Sequence, residues 1–145
     1  MRLGIIGCGA IGTDVGIAAD AMEDIEKIYL HDINPVAAKK LCSMMKKASI
    51  QPVEDFLKDV DVVFEAASQQ AVTQYAAMIL EAGKDVIIMS IGSLFNDTLR
   101  KKLENTAKKQ HRKIYLPSGA VCGIDGVLAA SIEKLDSVTL VTTKP

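Results

Sequence analysis

Six residues, Gly7-Cys8-Gly9-Ala10-Ile11-Gly12, follow directly on the short apolar run at 2–6 and open a stretch of helical period. In that context the G-x-G-x-x-G spacing points to a strand, a tight turn and a helix in succession. Gly7 permits the turn, Gly9 lets the backbone come close to a ligand, and Gly12 lets the helix pack closely on the strand. The first N–H groups of a helix lack intrahelical partners and lie at the positive end of its dipole. A pyrophosphate can therefore be held there without a lysine. No Lys-Ser/Thr pair follows these glycines, which disfavours the P-loop of a nucleoside triphosphatase.

Short β-rich runs alternate with helical segments along the rest of the chain. The runs fall at 2–6, 27–31, 60–65, 85–90, 113–116 and 137–143, with a weak one at 49–51. Val62-Val63-Phe64 and Val86-Ile87-Ile88-Met89 are apolar on successive positions, as strands covered on both faces require, and are expected to be central. Val72, Tyr75, Ala76, Ile79 and Leu80 form one helical face, and Gly83 ends that helix. Asn34 and Pro35 start another as N-cap and first residue, with Ala37, Leu41, Met44 and Met45 facing inward. Leu99, Leu103 and Ala107 mark a third, whose basic end (Lys108, Lys109, His111, Arg112, Lys113) complements the helix dipole. The predicted class is α/β: a Rossmann-type doubly wound, mainly parallel sheet with helices on both faces. At 145 residues and 49% hydrophobic, residues 1–145 suit one such domain.

Asp32 ends the second run twenty positions beyond Gly12, where this fingerprint places an acid on the adenosine ribose. Its charge repels a 2′-phosphate, so NAD is the expected cofactor and NADP, with Lys39 and Lys40 nearby, the second. Three further strand ends carry small residues: Glu65-Ala66-Ala67-Ser68-Gln69, Ser90-Ile91-Gly92-Ser93 and Pro117-Ser118-Gly119-Ala120. They share the carboxyl edge at which open α/β sheets bind ligands. Ser68 also reads as a helix cap, and Ser118-Gly119 as a turn. His31 and His111 read as surface residues, and Cys122 as an unactivated thiol.

Lys and Arg number 17 against 18 Asp and Glu, a net charge of −1 that favours neither nucleic acid nor an acidic membrane as partner. Cys8, Cys42 and Cys122 are widely spaced and odd in number, and no Cys/His/carboxylate cluster has ligand spacing. That argues against a disulfide framework and a metal site and for a reducing cytoplasm. No run reaches the roughly 18 apolar residues of a membrane span, and the start is too short in apolar residues for a signal peptide.

The motifs Gly7-Cys8-Gly9-Ala10-Ile11-Gly12, Glu65-Ala66-Ala67-Ser68-Gln69, Met89-Ser90-Ile91-Gly92, Leu116-Pro117-Ser118-Gly119-Ala120 and Val141-Thr142-Thr143-Lys144-Pro145 together resemble those of L-aspartate dehydrogenases. The resemblance implies NAD(P)-dependent oxidative deamination of L-aspartate through iminoaspartate, a step in NAD biosynthesis, by a homodimer. It also implies that Ala10 and Ile11 lie at the pyrophosphate, Asp32 at the ribose, Ala66, Ala67 and Ser68 along the cofactor, and Ala120 near the nicotinamide. Gly7, Gly9, Gly12 and Ser90 complete the expected cofactor-binding set. The family's catalytic histidine belongs to a C-terminal domain, so no residue here inherits that role, and the 145 residues are expected to lack the catalytic domain. Two other functions fit the same residues: a non-enzymatic NAD(H)-sensing regulatory module, and the NAD-binding domain of a homoserine-dehydrogenase-like enzyme.

Overall fold

A computed structural model describes residues 1–117, 131, 134, 136–139 and 141. Six strands are present among them: β1 (Arg2–Ile6), β2 (Lys27–His31), β3 (Ala48–Ile50), β4 (Val62–Glu65), β5 (Asp85–Ile88) and β6 (Ile114–Tyr115). Between them run α1 (Ala10–Ala21), α2 (Pro35–Ser43), α3 (Val53–Phe56), α4 (Gln69–Glu81), a 3-10 turn at Ile91–Phe95, and α5 (Asp97–Gln110). All strand pairs are parallel, in the order β3-β2-β1-β4-β5-β6. The order reverses direction at β1, the switch point of a doubly wound sheet, where a crevice opens at the carboxyl ends.

Two apolar clusters sandwich the sheet. One joins Leu3, Ile5, Ile28, Leu30 and Phe64 to Ala19 of α1 and to Ala38 and Leu41 of α2. The other joins Ile6, Tyr29, Val63, Val86 and Ile88 to residues of α3, α4 and α5. The strands therefore bury both faces, which is why their apolar residues run on instead of alternating. Phe56 of α3 is fully buried and stacks on Tyr29, ring centroids 5.9 Å apart. It fits because β1 carries glycine there: a Cβ on Gly4 would approach the Phe56 ring to 2.7 Å.

The helix boundaries follow local chemistry. Asn34 accepts the Val36 N–H at 3.0 Å with Pro35 behind it, Ser68 accepts the Ala71 N–H at 3.1 Å, and Asn96 accepts from Thr98 and Leu99. Each side-chain oxygen satisfies helix donors that have no carbonyl partner. Gly83 follows α4 at φ +73°, and His111 caps α5 in the left-handed region at φ 53°, beyond Lys108 and Lys109 in its last turn.

Several boundaries differ from the sequence expectation. β4 begins two residues later than 60–65, with Val60 N–H closing the turn after α3 on the Phe56 carbonyl, and β5 ends two earlier than 85–90, with Ser90 N–H turned to the Glu65 side chain. Met44 is 54% exposed, whereas Met45 is buried. The helix stops at Ser43, so counting its period through Met44 carried the apolar face too far. At 137–143, the described residues Ser137–Thr139 and Val141 are not in a strand, and the others lie outside the described residues.

Two glycines of the first turn are fixed by the fold itself. Gly7 has φ +99°, and a Cβ there would come within 2.7 Å of the Ala66 and Ala67 backbone. A Cβ on Gly12 would fall on the Gly7 carbonyl oxygen, a backbone atom with nowhere to move. Gly12→Ala is therefore expected to destabilise the chain by about 3 kcal/mol, the upper end of overpacking costs, read from the midpoint of urea unfolding. Gly9→Ala, whose Cβ would meet nothing within 4 Å, should cost no more than about 1 kcal/mol, the loss from an alanine N-cap.

Candidate functional site

The strand register brings the site together. Ile6 at the end of β1 lies level with His31 of β2 and Glu65 of β4, and Glu65 with Ile88 of β5. Four carboxyl ends thus reach one edge at the same height. The ladder continues into the loops, with Gly7 N–H donating to the His31 carbonyl and Ala66 N–H to the Ile6 carbonyl, both at 2.8 Å. From this platform α1 starts at Gly9, which has no side chain to cap the first N–H groups. Gly9 is exposed, has ordinary φ of −74°, and borders open space. Neither packing nor backbone conformation demands glycine there, unlike Gly7 and Gly12. A bare backbone beside free helix donors is what an approaching phosphate requires.

Beside Gly9 opens a cleft of about 330 Å³ between the glycine turn, the end of β2 and the first turns of α4. Asp32 forms one wall. Its Oδ2 accepts the Cys8 N–H at 2.6 Å and its Oδ1 the Asn34 N–H at 2.7 Å, tying the glycine turn to the start of α2. Each carboxylate oxygen keeps acceptor capacity for a further donor, such as a ribose hydroxyl. Burial, and next the Asp32 carboxylate and Cys42, push the neighbouring Cys8 thiol up to about 11, so it stays protonated and unreactive near neutral pH.

His31 and Tyr75 also line the cleft. Tyr75 Oη and His31 Nε2 are 3.3 Å apart, and the rings meet edge to face with centroids 5.6 Å apart. Burial, with Glu54 second, raises the Tyr75 hydroxyl above its ordinary value, which keeps it neutral. His31 is therefore half-buried and lines the cleft; the expectation of a surface residue fails because Tyr75, 44 positions along the chain, folds over it. His111 is exposed, as expected.

Of the residues singled out from the sequence, Gly7, Gly9, Asp32, Ala66, Ala67 and Ser68 converge on this cleft. Ala10 and Ile11 are exposed on the first turn of α1, while Gly12 is buried beneath it. Ser68 caps α4 as well as lining the cleft. Ser90 stands apart, its hydroxyl and N–H both directed to Glu65. Ala120 and Cys122 lie outside the described residues. Sequence reasoning missed Gln70, Gln74 and Tyr75 as cleft residues; the α4 period marked Tyr75 as core, and the available signal for the glutamines was their own i, i+4 spacing on one helix face. Among the described residues no three His, Cys, Asp or Glu are grouped to hold a metal, and no helix is long and apolar enough to cross a membrane.

Comparison with known proteins agrees with this geometry. Residues 7–117 match the family described as homoserine dehydrogenase, NAD binding domain. The chain is 41% identical to an L-aspartate dehydrogenase of Methanothermobacter thermautotrophicus, over all of this chain and 57% of that protein. It is also 41% identical to one from Methanosarcina barkeri, over all of this chain and 55% of that protein. The chain thus spans about half the length of the curated relatives it matches. Among solved structures, the aspartate dehydrogenase of Thermotoga maritima superposes with a TM-score of 0.69 at 26% identity, covering 89% of this chain and 50% of that one. With its glycine turn, acid-walled cleft and parallel sheet, the chain belongs to the family of NAD-binding domains described for homoserine dehydrogenase.

Proposed function

We propose that residues 1–145 are the NAD(P)-binding domain of an L-aspartate dehydrogenase, which oxidatively deaminates L-aspartate by way of iminoaspartate. The observation that carries this reading is the 41% identity to L-aspartate dehydrogenases along the whole of the chain. In this reading the N–H groups at Gly9, Ala10 and Ile11 hold the pyrophosphate, while Gly7 and Gly12 keep that turn in place. Asp32 accepts from the adenosine ribose, and Ala66, Ala67 and Ser68 lie along the cofactor with no bulk to exclude it. Ala120 is assigned to the nicotinamide end and Ser90 to the support of the same region. When bound, NAD supplies the hydride acceptor; the chain's own part is to bind and orient it.

No residue in the cleft is assigned as the catalytic base. His31 stands beside Asp32 at the adenosine end, and His111 caps α5 away from the cleft. The base and the cationic donors that a dicarboxylate needs are assigned to a second domain, in the part of the relatives' length that this chain does not span. The natural assembly is a homodimer in the cytoplasm, serving nicotinamide nucleotide synthesis. A homoserine dehydrogenase is the second reading, favoured by the description of the matching family. Steady-state assays of the natural-length protein with L-aspartate and with L-homoserine separate the two: turnover of homoserine without aspartate would overturn the first.

Two results are expected from the chain itself. Gly9→Val should abolish the rise in NADH fluorescence on binding while the unfolding midpoint stays near that of the parent; undiminished binding would remove Gly9 from the pyrophosphate site. Asp32→Ser should weaken NADH binding by about tenfold or more, the worth of a charged hydrogen bond, and strengthen NADPH binding; equal losses for both would count against the ribose role. The 145-residue chain should also yield little or no NADH from L-aspartate, since holding two reactants in place is worth about 7–11 kcal/mol of barrier and half of that apparatus is assigned elsewhere.

A further inference from the structure

Glu65 ends β4 and is 2% exposed, yet no ion pair of Glu65 occurs among the described residues. Its carboxylate is surrounded by donors instead. Oε1 accepts the N–H groups of Ala67 at 2.8 Å and Ser68 at 3.0 Å together with the Ser90 hydroxyl at 2.9 Å; Oε2 accepts the Ser90 N–H at 3.1 Å. All four contacts are donated to the carboxylate, three of them by backbone N–H groups, which cannot accept in return. At 2% exposure, and outside the lining of the cleft, Glu65 is enclosed by these turns and not presented to a ligand. What it does is join the turn after β4 to the turn after β5, and the first of these turns packs on Gly7.

The direction of a bound dinucleotide follows from Asp32 and Gly9. Asp32, after β2, marks the adenosine ribose, and Gly9, after β1, marks the pyrophosphate, so the nicotinamide extends towards the ends of β4 and β5. Those are the two ends that Glu65 ties together. A buried anion in a medium less polarisable than water acts over several ångströms, and the oxidised nicotinamide ring is cationic whereas the reduced ring is neutral.

We propose that Glu65 is a positioning residue for the nicotinamide half of the site, whose buried charge favours the oxidised over the reduced cofactor. This rests on the cofactor reading given above. Four hydrogen bonds fix the Ala67–Ser68 and Ser90 turns, and the charge they enclose acts through space on the ring. A purely structural Glu65 would change both affinities alike; a charged one changes their ratio.

The test uses the natural-length protein, titrated with NADH by fluorescence and with NAD by displacement of NADH. Glu65→Gln keeps the size of the side chain but removes the charge and turns an amide N–H2 towards existing donors. Both affinities should fall, and the ratio Kd(NAD)/Kd(NADH) should rise by about threefold or more. Ser90→Ala removes one donor and leaves the anion less compensated, so the same ratio should fall. If Glu65→Gln does not fold, Ser90→Ala decides alone: a ratio that is unchanged or raised overturns the inference. An unchanged ratio in folded Glu65→Gln overturns it as well. Failure of the unmodified protein to bind NADH would overturn the cofactor reading itself, and this inference with it.

Discussion

The close approach of α1 to the end of β1 is the contact on which the rest of the site depends. With no Cβ at position 12, the first turn of the helix sits directly over the Gly7 carbonyl. With φ of +99° at Gly7, the chain turns sharply enough to place that carbonyl there. The helix then begins level with the carboxyl ends of β2 and β4, both in register with Ile6. Remove that approach and the free N–H groups of α1 no longer face the crevice at the switch point. At the third glycine, Gly9, neither packing nor backbone conformation requires glycine, which is why it reads as space left for a ligand.

Two carboxylates hold this arrangement from opposite sides. Asp32 binds the glycine turn to the start of α2, and Glu65 binds the turns after β4 and β5. Both accept backbone N–H groups that would otherwise be left unpaired at loop positions, where no ladder or helix supplies a carbonyl. They differ in access: Asp32 faces the cleft and retains acceptor capacity, whereas Glu65 is enclosed. One acid can therefore meet a ligand directly and the other only through the turns it holds.

Much of this was legible in the sequence because it is local. The glycine spacing, the caps at Asn34 and Ser68 and the unbroken apolar runs each act within a few residues, and they appear close to where expected, whereas the bond from Cys8 to Asp32 spans 24 positions. What escaped depends on distant partners. The buried role of Glu65 needs Ser90, 25 positions away; the burial of His31 needs Tyr75, 44 away; and Gly4 is explained only by Phe56. Met44 was misplaced because periodicity gives the face of a helix but not its last residue, and α2 ends one residue earlier.

The bonds from Asp32 to Cys8 and Asn34 lie within the protein, so the glycine turn is held by the fold's own hydrogen bonds. Its conformational entropy is lost during folding and not at the moment of association. For a ligand that binds at such an edge, association would need little loop rearrangement. Ligands that compete for such a surface would then differ chiefly in how long each one stays, and little in how fast it arrives.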